Sequence, residues 1–305
     1  MNYTLHQLRV FLKVAETRSI TKAAEELHLT QPAVSIQLKK LQDQFELPLV
    51  ELIGRKLYVT DFGEEIVRMS ERVIHDFDEI KYKTLAYKGN LTGTLRISTV
   101  STAKYVMPFF LPEFLQKHRG VDLKMDVTNR GTVMQHLEKN SVDFAMVSVL
   151  PHQLTVDRVP LMENKLYLVG NPNLLPTEDG QAALADGPLI FREKGSATRA
   201  AMENFLGQRR LSARKSMTLT SNEAVKQAVI AGLGYSIMPL IGLKNELLNG
   251  SLSIIPHEGL PVITYWNLVW LNGKHLSPIA QTYLDHLKET KEELITKNFG
   301  WYLEY

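Results

Sequence analysis

The chain has 305 residues, longer than one average domain, so two compact units are expected. A composition of 44% hydrophobic and 22% charged residues, with 18 Gly and 13 Pro, excludes collagen, a coiled-coil rod and wholesale disorder. The absence of cysteine excludes disulfides, thiolate nucleophiles and Cys-ligated metals and fits a reducing compartment, and a formal charge of only +2 means that any nucleic-acid contact must come from a local concentration of cations.

From the N-terminus, Leu5, Leu8, Phe11, Leu12 and Ala15 share one helical face, and Thr4 is placed to cap its first turn. Arg9 and Lys13 interrupt that apolar pattern, unlike a secretory signal, so a cytoplasmic location is expected. A second short helix is predicted from Ser19 through Leu27, with Ile20, Ala23, Ala24 and Leu27 inward and alanines small enough for close helix approach. Thr30 is a good N-cap, Pro32 sits in the first turn, and Val34, Leu38 and Leu41 repeat at helical spacing, so a third helix runs to about Gln44. Leu49 to Thr60, with Gly54-Arg55-Lys56 between apolar runs, suits a tight hairpin with a basic tip.

From Asp61 to about Lys88 the residues Ile66, Met69, Val73, Phe77, Ile80 and Leu85 recur at spacings near three and four, predicting one long helix of roughly 40 Å. Its apolar stripe is expected to pair with another chain; docking on the chain's own C-terminal part is the alternative. Gly89, Asn90, Thr92 and Gly93 then break the helix at a domain boundary near residue 90. Beyond it, strands and helices alternate: Thr94–Val100, Tyr105–Lys117, Val121–Thr128, Thr132–Lys139, Val142–Val149, Lys165–Gly170, Ser196–Leu206, Ser216–Thr220, Ser221–Ala231, Tyr235–Met238, Ile254–Ile255, Tyr265–Leu271 and a helix from Ser277. Such alternation predicts parallel sheets flanked by helices, in two lobes with a cleft rather than one large sheet.

The third helix carries the clearest chemistry. Thr30, Gln31, Ser35, Gln37, Lys39 and Lys40 are outward candidates, and no acidic residue lies between Leu27 and Leu41 to repel phosphate. Gln and Ser exchange hydrogen bonds with base edges in a major groove, so the face suits double-stranded DNA, with a plain solvated face as the alternative.

These residues resemble the LysR-type transcriptional regulators. The likeness rests on Leu8, Phe11, Val14, Ala15, Ser19, Ala23, Ala24, Leu27, the run Thr30-Gln31-Pro32-Ala33-Val34-Ser35, Leu38, Leu41, Leu47, Leu49, Gly54, Arg55, Thr60 and Gly63. It extends to Gly195-Ser196-Ala197-Thr198-Arg199 and to Ala231 through Pro239, and LHQLRVF, LTQPAVSIQLKKL, GRKLYVT and the EKGSATR stretch are similar to regulators of carbon-fixation and related anabolic operons. The resemblance implies an α+β protein with a winged helix-turn-helix over residues 1–60, a dimerising linker helix over 61–90 and, over 91–305, a two-lobed α/β effector domain similar to periplasmic binding proteins. Lobe one would take about 91–161 and 268–297, lobe two about 162–267. It further implies a homodimer assembling to a homotetramer, RNA polymerase as a further partner, no membrane partner, and a small anionic metabolite as effector. Gln31, Pro32 and Ser35 would meet the major groove, Lys39 would lie near phosphate, and Arg55 with Lys56 would reach from the wing. Ile36 departs from the family, where arginine is frequent.

In the C-terminal part, Ser101-Thr102 follows a strand and precedes a helix, Asn129 to Thr132 and Gly195 to Arg199 repeat that arrangement, and Ser221-Asn222 opens a third helix. Ser101, Thr102, Asn129, Thr132, Ser196, Thr198, Arg199 and Asn222 are the candidate anion contacts; the alternative is that each merely caps a helix. No H-E-x-x-H, G-x-S-x-G or phosphate loop is present, and Gly232-Leu233-Gly234 lacks a third glycine at Ile237, so no catalytic residue, metal or cofactor is expected. The competing reading is a small-molecule binding protein or enzyme whose N-terminal helices mediate association. Gln227 to Leu243 is uncharged but broken by Gly232, Gly234, Pro239 and Gly242, too short for a membrane span of about 20 residues. Asn90-Leu91-Thr92 reads as an interdomain turn, and Phe299, Trp301, Tyr302 and Tyr305 form an aromatic tail suited to packing on a neighbour.

Overall fold

A computed structural model describes residues 2–54, 56–86, 91–151, 153–173, 180–211 and 214–305, with only the backbone described at 75, 78, 79 and 81–86. The chain divides into two compact units, Met1–Asn90 and Leu91–Tyr305.

The first unit begins with α1 (Leu5–Thr17), where Thr4 and Gln7 form a reciprocal capping box, and the chain leaves the helix through Arg18 in the left-handed region. Ser19 caps α2 (Ile20–Glu26) and Thr30 caps α3 (Gln31–Gln42), each side-chain oxygen accepting a backbone N–H three residues on. Helix three therefore stops two residues before the expected end. Ala23 and Ala24 are buried against Val34, Leu38 and Leu41 and the inner face of α1, Leu8, Phe11 and Val14. The wing follows as β1 (Val50–Ile53) and β2 (Lys56–Val59), paired Ile53 to Lys56 around Gly54, whose φ of 66° is one that glycine adopts without a steric penalty.

Helix α4 (Asp61–Ala86) is locked to the wing at its first turn. Thr60 Oγ1 donates to Pro48 O at 2.6 Å and accepts from Gly63 N at 2.9 Å, while a Cβ at Gly63 would lie 2.0 Å from Leu49 O. Both residues are thus required by the close approach of helix and wing. Val67 and Ser70 face inward, while Met69, Val73 and Phe77 are exposed. The predicted break at Gly89 and Asn90 lies outside the described residues; Thr92 and Gly93 are not part of a break but open a strand.

The second unit is built from β3 (Thr92–Val100), α5 (Pro112–Lys117), β4 (Gly120–Thr128), α6 (Arg130–Glu138), β5 (Phe144–Val147), β6 (Val156–Gly170), α7 (Gly180–Asp186), β7 (Pro188–Arg192), α8 (Ala197–Gln208), β8 (Lys215–Leu219), α9 (Asn222–Ile230), β9 (Ser236–Pro239), α10 (Lys244–Leu248), β10 (Ser253–Ile254), β11 (Val262–Leu271) and α11 (Pro278–Phe299). Two 3-10 turns, Ala103–Tyr105 and Met107–Phe110, replace the first half of the helix expected over Tyr105–Lys117, because Pro108 removes a donor there.

The expectation of parallel sheets is only partly met. β3 pairs in parallel with β4 and β5, and β7 with β8, but β11 is antiparallel to both β5 and β6, and β6 is antiparallel to β9 and β10. β6 and β11 begin earlier than the sequence pattern indicates and run through both halves of the unit, so one seven-stranded path, β10-β6-β11-β5-β3-β4 with β9 on β6, serves two separate cores. The first core packs α5, α6 and α11 on β3, β5 and β11. The second lies on two faces of the far end of β6, β7 and β9: Met202, Phe205 and Leu206 of α8 cover one face, Val225 and Val229 of α9 the other. Gly234 is where the chain turns back onto β7; a Cβ there would stand 2.3 Å from Pro188 O, which accepts the N–H of Tyr235 at 2.9 Å.

Two residues of the aromatic tail pack on their own unit, while Tyr305 stays exposed. Phe299 and Tyr302 are buried in the first core, the Lys165 backbone N–H donates to the Tyr302 phenol oxygen at 2.6 Å, and the ammonium of Lys244 lies 5.2 Å from the Trp301 ring. Burial pushes the Tyr302 phenol far above its ordinary value, so it stays neutral. Tyr302→Ala should therefore lower stability by about 3–5 kcal/mol in urea unfolding, and Tyr302→Phe by about 1–3 kcal/mol because the Lys165 N–H loses its acceptor. Equal midpoints for native chain and Tyr302→Ala would overturn this role for the tail.

Candidate nucleic-acid interface and ligand crevice

Helix α3 buries Val34, Leu38 and Leu41 and so turns the rest of its surface outward. Thr30, Gln31, Pro32 and Lys39 are exposed, and Ser35 and Gln37 are half-buried at the margins. None of the predicted reading residues on the helix packs inward. Lys39 and Lys40 occupy the last turn, and the first turn has no acidic residue. Lys56 is exposed at the start of β2, and Leu52 and Ile53 are exposed beside it on β1. Arg55, predicted at the wing tip, lies outside the described residues.

In the second unit a narrow crevice is lined by Val100, Ser101 and Thr102 after β3, Asn129 and Arg130 at the start of α6, Arg192 and Glu193 at the end of β7, and Ser196, Ala197 and Thr198 at the start of α8. Five of the eight predicted anion contacts, Ser101, Thr102, Asn129, Ser196 and Thr198, are thereby brought together. Asn129 and Ser196 also cap α6 and α8, so capping and crevice lining coexist in one residue.

The other three are not in the lining. Thr132 donates its hydroxyl to its own cap, Asn129 Oδ1, at 3.3 Å. Arg199 turns back over its own lobe: Nε donates to Glu203 at 2.7 Å, Nη1 donates to the carbonyl oxygen of Arg192 at 2.8 Å, and the guanidinium stands 5.3 Å from the Phe191 ring. Asn222 uses its side-chain oxygen to accept from Arg192 Nη1.

Arg192, which sequence reasoning missed, organises the crevice. It is 5% exposed, and its Nε and Nη2 donate to the two oxygens of Glu193 at 2.7 and 2.8 Å. Nη2 also reaches Ser101 Oγ at 3.3 Å, so one guanidinium joins the end of β7, the start of α9 and the segment after β3. Arg130 is the second overlooked cation, with an Nε that is buried and has no hydrogen-bond partner among the described residues. The missed signal was the apolar run Pro188-Leu189-Ile190-Phe191 after Gly187, which forms β7 and delivers Arg192.

Helix α9 is held in turn by Lys226, whose ammonium meets Glu246 at 2.7 Å and Glu223 at 3.1 Å. Burial alone pulls this ammonium down, but the hydrogen bonds it donates to Glu246 and Glu223 outweigh it and leave the group above its ordinary value. The lysine side of the pairing is thus fully charged at neutral pH and is lost as pH rises past that raised value, while acid removes the pairing from the carboxylate side, later than usual for Glu223, which its hydrogen bonds to Gln227 and Lys226 hold below the ordinary carboxylate value. Among the described residues no three His, Asp or Glu side chains cluster to hold a metal, and no helix is long and apolar enough to cross a membrane.

A winged helix-turn-helix with a polar, basic reading face, followed by a two-lobed α/β unit with an arginine-lined crevice, defines a DNA-binding regulator with a sensor domain. Residues 5–64 match the bacterial regulatory helix-turn-helix family of LysR proteins, and residues 88–292 match the LysR substrate binding domain. The chain belongs to the LysR family of transcription regulators, which are not enzymes. It is 38% identical over 289 residues to the HTH-type transcriptional activator CmpR of Synechocystis sp., covering 94% of this chain and 95% of the relative. It is 40% identical over 286 residues to a RuBisCO operon transcriptional regulator of Allochromatium vinosum, covering 93% and 95%. Among solved structures, the regulatory domain of Synechocystis CcmR in complex with 2-PG superposes with a TM-score of 0.62 at 33% identity, covering 66% of this chain and 98% of that one.

Arg192→Lys keeps the charge but loses the planar fork that spans Glu193, Asn222 and Ser101. It should lower the unfolding free energy by about 2 kcal/mol, the scale of one hydrogen bond to a charged group, whereas Ser101→Ala should cost no more than about 1 kcal/mol, the scale of a neutral one. Denaturant unfolding of the two variants that gave the opposite order would contradict the assignment of Arg192 as the organising group.

Proposed function

We propose that this protein binds duplex DNA through α3 and the wing and adjusts that binding to a small phosphate- or carboxylate-bearing metabolite held in the crevice. The observation that carries the ligand reading is the pair of arginines lining one narrow crevice, Arg192 tied to Glu193 and Arg130 with a buried Nε donor that has no partner among the described residues. An entering anion competes with Glu193 for the Arg192 fork and takes up the free donor of Arg130. Hydroxyls of Ser101, Thr102 and Thr198 and the N-terminus of α8 supply further donors around it. The ligand of the Synechocystis relative, 2-phosphoglycolate, has this chemistry, a phosphate and a carboxylate on a two-carbon body. Because Arg192 ties Ser101 to Asn222, an anion drawing it away changes how the two cores are joined, which gives the ligand different affinities for two arrangements.

In this reading Thr30, Gln31, Pro32, Ser35, Gln37 and Lys39 form the major-groove face, with Lys56 and Arg55 supplied by the wing. The residues divide as 1–60 for the reading head, 61–90 for the linker helix and 91–305 for the sensor, with the lobes exchanging near residues 161 and 268. The exposed Met69, Val73 and Phe77 on α4 support pairing of two chains along that helix, a homodimer that assembles to a homotetramer. Paired heads would grip half-sites about 34 Å apart, in the cytoplasm, where RNA polymerase is the downstream partner.

Two measurements test this. Binding of the full chain to promoter DNA should weaken steeply with salt, and Lys39→Ala should reduce the slope of log affinity against log salt by about one; a slope near zero would discard the DNA interface. Titration with 2-phosphoglycolate should raise the melting temperature of the full chain, by about 2.7 kcal/mol of stabilisation at a hundredfold excess over Kd. Arg192→Lys should lose most of that rise while an uncharged sugar gives none; a rise equal in native and variant chains would move the ligand elsewhere.

A further inference from the structure

The outward surface of α3 consists of two neighbouring stripes. Gln31, Ser35 and Lys39, spaced four apart, form one; Pro32, Ile36 and Lys40, each one residue on, form the other. The first stripe is polar throughout. The second is apolar over its first two members and lies opposite the buried Val34, Leu38 and Leu41, so Ile36 occupies the middle of the outward face.

Ile36 is 53% exposed, and Pro32, one turn before it, is exposed as well. A single exposed aliphatic side chain needs no explanation on an arbitrary surface. This one lies beside the polar stripe of Gln31 and Ser35 and is followed by two lysines, Lys39 and Lys40, three and four residues on. It is also β-branched and stiff in a helix, so its methyl groups are presented with little rotamer freedom. In a major groove the one apolar feature offered by a base edge is the C5-methyl group of thymine.

We propose that Ile36, buttressed by Pro32, is a specificity-determining residue that selects thymine at one position of each half-site by packing on its C5-methyl group. This rests on the reading of α3 as the DNA face and adds the base it selects and the chemistry of selection. The polar stripe reads neighbouring edges by hydrogen bonds, while the apolar stripe excludes water from the methyl group and disfavours cytosine, whose amino group would be desolvated without an acceptor.

The test uses the full chain and a random duplex library. Native protein should enrich one symmetry-related thymine per half-site that Ile36→Ala no longer enriches, while the other enriched positions persist. In the selected site, replacing that thymine by deoxyuridine removes only the methyl group; native affinity should fall about fourfold, the worth of one buried methyl-sized group, and the Ile36→Ala affinity should not change. Equal enrichment of every thymine by both proteins, or an equal deoxyuridine effect on both, would overturn the assignment to Ile36. Failure of the native chain to enrich any sequence, with Gln31→Ala indistinguishable from it, would instead overturn the DNA-face reading beneath it. Retained helical circular dichroism and salt-dependent binding in Ile36→Ala separate lost selection from lost folding.

Discussion

The guanidinium of Arg192 is the constraint around which the second unit is arranged. A buried cation needs hydrogen-bond partners in several directions, and here they come from the adjacent Glu193, from Asn222 thirty residues later and from Ser101 ninety-one residues earlier. Meeting that demand ties the end of β7 to the start of α9 and to the segment after β3. Lys226, between Glu223 and Glu246, then holds α9 in place one turn further along the same face. The polar crevice is a consequence of this satisfaction: helix starts and strand ends converge where the guanidinium requires them.

The first unit depends on a different economy, local rather than long-range. Its first three helices are short, each begun by an oxygen-bearing cap and packed through small or aliphatic residues, with Ala23 and Ala24 buried. The wing joins α4 through contacts so close that Gly63 leaves no room for a side chain. With the inner face of α3 committed to the core, its outer face is free to carry polar stripe, apolar stripe and lysines side by side. In the proposed reading, recognition and sensing therefore reside in units governed by contacts of very different sequence separation.

That difference explains what was legible in advance. The caps at Thr4, Ser19 and Thr30, the buried Val34, Leu38 and Leu41 and the hairpin at Gly54 were readable because each is decided within a few residues. The sensor was read less well. Ser101, Thr102, Asn129, Ser196 and Thr198 were recognisable as helix-start oxygens and do line one crevice, yet Arg199 looked equivalent to them and instead folds back on Glu203 and the Arg192 carbonyl oxygen. Nothing in the local pattern distinguishes an arginine that faces the crevice from one that faces its own helix.

By itself, then, the amino-acid order determined the three short helices and the wing of the first unit, the outward chemistry of α3 and the family to which the chain belongs, since periodicity and capping act over short stretches. Only the tertiary structure decided that β6 and β11 run antiparallel through both cores, that Tyr302 closes onto Lys165, and that Arg192 and Arg130 rather than Arg199 line the crevice. Those outcomes depend on pairings between residues tens to more than a hundred positions apart, where burial and hydrogen-bond satisfaction choose among alternatives that local sequence leaves equal.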